Sequence, residues 1–427
     1  MDPETPPLTA PARLDPPGST LVGRELDVVI HALDATGTGV GAAAGIAPDG
    51  LAESVVLVPF TLPGEHVRAR VWRARGREVA ADLLGVTRPS PARVAPGCAL
   101  FGTCGGCQVQ HLAPSAQLAW KTALVRAALD PVGLAALVRD CIPSPRVYGY
   151  RSKLTPHYEV PHKRDPPGAG AGAAPAIGFL RAGRRHALVD VPRCPLATDG
   201  VNAALPALRA AAHEAARGRR RGASLLLREG ASGVTSDPDA RVVERVGTLS
   251  LEFAAREFFQ NNPFLLPALV DFVIDGAVST GATLLVDTYS GSGLFALAAA
   301  RRFRRVLGVE VSAAAVAAAR ANAVANGLGN VAFLAAPAAH IFASVLDEGP
   351  DAAVIVDPPR KGADPSFLDQ LVTFAPRSVV YVSCNPETAA RDLAHLAAAG
   401  FTVVTVQPFD MFPQTRHVES VTVLHRV

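Results

Sequence analysis

From about Thr283 to the C-terminus, short β-branched runs and longer helical segments alternate without a break, and this alternation constrains the fold more than any other feature. Successive strands joined through helices run parallel, so the pattern predicts an α/β domain: a mainly parallel sheet with helices on both faces. The strand-like runs are "TLLVDTYSGSG", "RVLGVEV", "AAVIVDPPRKG" and "SVVYVSCNPETAARDL". In open sheets of this kind ligands bind outside the carboxyl ends of the strands. Each run ends there on residues that can carry chemistry: Tyr289 and Gly291, Glu310, Asp357 and Cys384.

Gly291 and Gly293 allow a tight turn that brings backbone N–H groups close to a bound nucleotide. That pattern alone fits a dinucleotide equally well. Glu310 follows Gly291 by about 20 residues, the distance at which an acid reaches ribose hydroxyls, which suits NAD or S-adenosylmethionine. The choice comes from Asp357-Pro358-Pro359, where the prolines force the chain out of the sheet. An acid with Pro-Pro at the fourth strand is common in methyltransferases acting on nucleobases, whereas a dehydrogenase has no use for it. A strand-ending turn explains the prolines but not an aspartate sharing a rim with Glu310 and Cys384. A free cysteine is most often a small buried hydrophobe, yet Cys384 sits at the strand mouth where Asn385-Pro386 ends the run.

Residues 1–20 are Pro-rich and carry Asp2, Glu4 and Asp15, so they read as a disordered tail rather than a secretory signal. From Val22 to Val86, apolar runs broken by glycine turns predict a small antiparallel barrel over 21–90. In "HVRARVW" Val67, Ala69 and Val71 share one face and Arg68, Arg70 and Trp72 the other, with Arg73, Arg75 and Arg77 beyond. A nucleic-acid surface and a solvated edge strand explain that basic face equally well. A central region follows over 91–255. It has helical spacing in "SAQLAWKTALVRAALDPVG" and strands over 147–194 broken by "RDPPGAGAGAAPA", expected to be disordered. The run "ARGRRRG" at 216–222 reads as a solvated turn, with RNA contact the lesser alternative. The catalytic domain spans 256–427. Cys98, Cys104 and Cys107 lie in "CALFGTCGGC" and Cys194 in "VPRCPLA", a set of four thiols, while Cys141 reads as a core residue. No run reaches the roughly 18 apolar residues of a membrane span, and the net charge is only +3. A cytoplasmic monomer with local rather than global affinity for nucleic acid is expected.

Six motifs in order, "FFQNNPFLLPALV", "DTYSGSG", "GVEVSAAAVAAARANAVANG", "DPPRKG", "YVSCNPETAARDL" and "DMFPQTRHVESVTVL", make the chain resemble the S-adenosylmethionine-dependent RNA uracil-C5 methyltransferases. The resemblance covers nearly the whole chain. It implies a Rossmann-like class I methyltransferase domain, an N-terminal TRAM/OB-like β-barrel that holds RNA, and a central α+β iron–sulfur domain. By motif, Cys384 would be the nucleophile and Glu419 in "HVES" the base. Gln260, Tyr289, Gly291, Glu310 and Asp357 would line the methyl-donor site. Cys98, Cys104, Cys107 and Cys194 would hold a [4Fe–4S] cluster, with zinc the alternative because four thiolates accept either.

The chemistry agrees with these roles. C5 of uracil is a poor nucleophile until a thiolate adds at C6, and a carboxylate must then remove the C5 proton. Glu419 shares a strand face with Val421 and Val423, and a salt bridge to Arg416 is its structural alternative. A stacked base is unreachable, so the partner is RNA with a looped or flipped uridine, ribosomal (23S) RNA ahead of transfer RNA. The sequence departs from the family at Ser290 in place of a cysteine, at Leu294 in place of an asparagine, and at Pro337 where a polar or acidic residue often reads adenine. Two other functions stay open: an RNA cytosine-C5 methyltransferase, whose usual Pro-Cys is replaced by Asp357-Pro358-Pro359, and a non-catalytic RNA-binding iron–sulfur protein.

Overall fold

The structure is a computed structural model that describes residues 21–43, 54–158, 175–184, 187–216, 222–337, 341–342 and 346–426. The expectations for the tail at 1–20, for "RDPPGAGAGAA" and for the arginine run at 217–221 lie outside these residues. The chain forms two compact units, 1–94 and 95–427.

The first unit is a closed barrel of β1 (Glu25–Leu33), β2 (Thr38–Ala43), β3 (Val55–Pro59), β4 (His66–Arg75) and β5 (Glu78–Arg88), in the order β1-β2-β3-β5-β4 with β4 pairing back onto β1. Strict alternation sends Val28, Ile30, Val56, Val58, Val67 and Val71 inward. Each such side chain contributes about 1.5–3 kcal/mol relative to exposure. Glu65, fully buried, accepts from Leu62 N–H at 2.8 Å and from Arg93 Nε at 2.5 Å. The outward face of β4 carries Arg68 and Arg70, but both guanidiniums reach Glu25 on β1, at 2.7 and 2.9 Å. Arg73 bonds Glu78 at 2.8 Å and lies 5.0 Å from the centroid of Trp72, an indole that is half exposed.

The second unit is organised by a seven-stranded sheet. Its strands are β6 (Leu284–Thr288), β7 (Arg305–Glu310), β8 (Val331–Ala335), β9 (Ala352–Val356), β10 (Ser378–Ser383), β11 (Phe401–Phe409) and β12 (Glu419–Arg426), in the order β8-β7-β6-β9-β10-β12-β11. The first five run parallel and β12 is antiparallel to both of its neighbours. Helices α1 (Pro114–Leu129), α2 (Asp199–Ala216), α3 (Leu266–Val278), α4 (Leu294–Ala299), α5 (Ala313–Ala325), α6 (Pro365–Phe374) and α7 (Pro386–Ala398) complete the unit.

Alternate strand residues feed two cores. Leu285, Ile355 and Val380 pack with α3, α4 and α5. Val286, Val354 and Val379 pack with α1, α6 and α7. The strand order reverses between β6 and β9, the switch point at which open sheets leave a crevice. Between α1 and α3 lie short strands such as Ile177–Leu180 and Leu227–Gly230 and the hairpin Arg241–Val246/Leu249–Ala254. Among the described residues no helix is long and apolar enough to cross a membrane.

Candidate active site

β10 ends at Ser383 because Asn385 and Pro386 start α7: the Asn385 side chain accepts from Glu387 N–H at 3.2 Å, and Pro386 occupies the first helical position. Cys384 therefore sits between a buried strand and a helix N-terminus, where the helix dipole favours a thiolate. Register supplies its neighbour. In the β10–β12 ladder Ser383 faces Ser420 and Val382 faces Val421, so one step further Cys384 lies opposite Glu419. Ser420 Oγ donates to the Ser383 carbonyl at 3.3 Å and closes the end of the ladder.

Cys384 and Glu419 here share one guanidinium, and the Asp357 carboxyl is close enough to act on both. Burial pushes the Cys384 thiol up, the charges of Glu419 and Asp357 push it the same way, and Arg360 opposes them by charge and by a hydrogen bond. Glu419 is 4% exposed; burial and Asp357 drive its carboxyl well above the usual range, again against Arg360. Burial raises Asp357 to about 7. Like charges this close cannot all ionise together. The charges acting on Glu419 are thus Asp357 and Arg360, not Arg416.

Arg360 is held by its backbone, whose carbonyl accepts from Asn385 Nδ2 at 3.2 Å and Thr388 Oγ1 at 3.3 Å. Its guanidinium lies 3.5 Å from His417 Nδ1. Burial, then the neighbouring Arg360 and Arg416, holds His417 down at about 4, so its imidazole is neutral near pH 7 and can accept from the guanidinium.

The adjoining rim belongs to β6, β7 and β9. Tyr289, Gly291 and Gly293 all have positive φ, at 62°, 52° and 96°. A Cβ on Gly293 would come within 3.0 Å of the Phe333 ring, so glycine is required there. Glu310 bridges the turn: one carboxylate oxygen accepts from Gly291 N–H at 3.1 Å and the other from Ser312 N–H at 2.9 Å. Tyr289 packs edge-on against Phe367 with centroids 5.6 Å apart, and burial raises its hydroxyl to about 12. Gln260 is buried in the segment leading to α3, while Phe258, two residues earlier, is 78% exposed. Leu294 is buried in the core and acts as a packing residue. Pro337 lies exposed beyond β8.

Asp287 lies inside β6, paired with Ile355 of β9 and so two residues short of the level of Asp357. Its Oδ2 accepts from Ala296 N–H at 2.8 Å, whereas Oδ1 is buried with no partner. Burial raises its pKa far above the carboxylate range, and the nearby Asp357 and Glu310 raise it further. Arg360, His417 and Asp287 were not singled out from the sequence. Each stood inside a quoted motif, in "DPPRKG", "TRHVES" and "DTYSGSG", but its partners lie on other strands.

Away from this rim, Cys98, Cys104, Cys107 and Cys194 line one cavity of about 220 Å³ together with Phe101 and Arg151. Burial raises the Cys107 thiol to about 12 and also raises Cys104 and Cys194, with each of the three pushed further by charges of the other thiols. Backbone N–H groups point at the sulfurs, from Gly106 to Cys104 and from Leu196 and Ala197 to Cys194. Among the described residues no group of three or more His, Cys, Asp or Glu is arranged to hold a metal ion. Cys141 is buried in the core, where its thiol is pushed up to about 12.

Comparison with known proteins matches this architecture. The profile of the tRNA (uracil-5-)-methyltransferase family fits residues 241–427. A tRNA (uracil(54)-C(5))-methyltransferase of Schizosaccharomyces pombe is 35% identical over 95% of this chain and 79% of its own length. An uncharacterised RNA methyltransferase of Thermosynechococcus vestitus is 32% identical over 94% of this chain and 98% of its own. The crystal structure of Pyrococcus abyssi tRNA (uracil-54, C5)-methyltransferase in complex with S-adenosyl-L-homocysteine superposes with a TM-score of 0.68 and 25% identity, covering 93% of this chain and all of that one. A mixed sheet with its nucleotide-type glycine turn, and relatives this similar along their length, identify the chain as an enzyme of the S-adenosylmethionine-dependent RNA uracil-C5 methyltransferase family.

Proposed function

We propose that this enzyme methylates C5 of uridine 54 in transfer RNA, with Cys384 as nucleophile and Glu419 as base. The observation that carries the mechanism is the β10–β12 register, which sets Cys384 opposite Glu419 with Arg360 and Asp357 beside them. The substrate follows from the relatives: the enzymes of Schizosaccharomyces pombe and Pyrococcus abyssi are named for uracil 54 of tRNA. These relatives favour transfer RNA, the alternative in the sequence reading, over the ribosomal RNA expected first.

The Cys384 sulfur forms a bond to C6 of the uracil, and the C5=C6 electron pair moves into an enolate over C5, C4 and O4. S-adenosylmethionine supplies a methyl group on a sulfonium that C5 can displace, releasing S-adenosylhomocysteine. Glu419 then takes the C5 proton; the electron pair re-forms C5=C6 and expels the Cys384 thiolate. Arg360 holds the charge of the thiolate as it arrives and as it leaves. In the free protein the thiol is raised, so ionisation of Cys384 is favoured once the donor's positive charge joins Arg360 in the site. Glu310 is placed for the donor's ribose, the turn at Tyr289 and Gly291 for its amino-acid end, and Asp357 and Gln260 for the rim between donor and base. Phe258 and Trp72 offer exposed rings on which unstacked bases can lie.

The four cysteines that line one cavity are assigned to a [4Fe–4S] cluster on the family motif, with zinc, which four thiolates also accept, the alternative. N–H donors aimed at the sulfurs are a feature of iron–sulfur sites. A cluster held by Cys98, Cys104, Cys107 and Cys194 would cross-link the central region and take no part in methyl transfer.

The test is to incubate anaerobically purified enzyme with methyl-labelled S-adenosylmethionine and separate tRNA and rRNA fractions from a strain lacking the gene. Label in 5-methyluridine of tRNA, lost when uridine 54 is changed, is the expected result. Label confined to rRNA would overturn the substrate assignment, and label in 5-methylcytidine would overturn the reaction.

A further inference from the structure

The connection from β11 to β12, residues 410–418, delivers Glu419 as its exit residue, with Phe409 and Glu419 paired at its base. Side chains from earlier segments hold this loop. Lys121, fully buried on α1, donates to Asp410 at 2.5 Å and to the Phe412 carbonyl at 2.9 Å. Tyr150 donates to the Pro413 carbonyl at 3.1 Å, and Asn262 to that of Met411 at 3.1 Å.

At the apex the Gln117 side-chain amide bonds both the side chain and the backbone of Gln414. Gln117 Nε2 donates to Gln414 Oε1 at 2.9 Å, and Gln414 N–H donates to Gln117 Oε1 at 3.0 Å. Gln117 Nε2 also reaches the carbonyls of Val109 and Leu112, at 3.1 and 2.8 Å. Both glutamines are at most 2% exposed, and Gln414 has a φ of 69°, unfavourable for a residue with a side chain. Buried polar contacts of this kind add little net stability over apolar packing but fix one arrangement.

We propose that Gln117 is a positioning residue for the last step of the reaction: by pinning Gln414 it holds the 410–418 loop so that the Glu419 carboxylate stays opposite Cys384. The inference rests on the assignment of Cys384 and Glu419 above. The Cys384 side of the site has its own fastening, through Asn385 and Thr388 to the Arg360 carbonyl. The loop reaches that side through His417, 3.5 Å from the Arg360 guanidinium, whereas it carries Glu419 on its own end, so loosening it slows proton removal far more than bond formation at C6 and methyl transfer. A displacement of about 1 Å at a reacting group can cost on the order of a hundredfold.

The experiment uses Gln117→Met, which keeps side-chain length and removes the amide. Full-length protein, methyl-labelled S-adenosylmethionine and tRNA are mixed and quenched, and labelled protein–RNA adduct and released 5-methyluridine are followed separately. Adduct should form within about threefold of the parent rate while release falls ten- to a hundredfold, so that adduct accumulates as in Glu419→Gln. Equal loss of both rates, or no change in either, would overturn the proposal. If Gln117→Met does not fold, Gln414→Gly tolerates the positive φ, removes the Oε1 that accepts from Gln117 while keeping the backbone N–H, and is read the same way. Adduct trapped by Glu419→Gln but by neither glutamine variant refutes the positioning role alone. Failure of Glu419→Gln to trap adduct removes the base assignment and this inference with it.

Discussion

Cys384 and Glu419 meet at Arg360 with Asp357 acting on both, so the order in which these acids lose protons governs when the thiol becomes a nucleophile. Arg360→Ala removes the counter-charge. The pH midpoint for alkylation of Cys384, read by mass spectrometry of its peptide, should move up, and adduct formation should slow by about tenfold or more. Glu419→Gln removes a charge of the opposite sign, so the same midpoint should move down although turnover stops. Unchanged midpoints in both variants would show that these groups do not set the thiol's charge. Cys384 is legible in the sequence because an apolar run stops on it beside a turn. Arg360 is not, since its contact with the thiol is made across neighbouring strands that sequence order does not align.

Among the elements, β4 shows how a pattern can be right while its electrostatics are not. The alternation of Val67, Ala69 and Val71 with Arg68, Arg70 and Trp72 is what a barrel strand requires, and the structure has it. Glu25 arrives from β1, however, and bonds both arginines, so their charge is partly spent within the barrel. If this face contacts RNA, Glu25→Gln should tighten binding and steepen its salt dependence by about one charge, measured as the slope of affinity against salt. No change in slope would place the RNA elsewhere. β12 is a second case: its apolar residues are plain in the sequence, but its antiparallel pairing with β10, which brings Glu419 to Cys384, depends on the turn at 410–418 and on what holds it. Cys104→Ser tests the cysteine segment in the same way. Metal content should fall and the unfolding temperature with it, and unchanged iron would refute the ligand set.

In the whole molecule, buried ionisable groups set the dependence of stability on pH. Glu244 on the Arg241–Val246 strand is raised to about 7 by burial, against the attraction of Arg228. Arg228 is itself lowered to about 10 by burial and lies 4.7 Å from the centroid of Phe253. Because folding raises the Glu244 pKa above 4.5, the folded chain keeps a proton that the unfolded chain releases. Its contribution is complete below about 4.5 and is lost as pH rises through about 7. The unfolding free energy of the 95–427 unit should therefore fall over that window, and Glu244→Gln should flatten the fall; an equal slope in the variant would place the titration elsewhere.

The order of residues alone determined the α/β alternation, the strand ends at Tyr289, Glu310, Asp357 and Cys384, and the barrel pattern, because period and turn chemistry are local properties of the chain. What the tertiary structure alone decided was who meets whom: Glu419 opposite Cys384, Arg360 acting on both, Glu25 on the barrel arginines, four thiols around one cavity, and Gln117 against Gln414. These depend on strand order, register and the packing of segments hundreds of residues apart, where free energy is shared among many contacts and no short stretch of sequence records it.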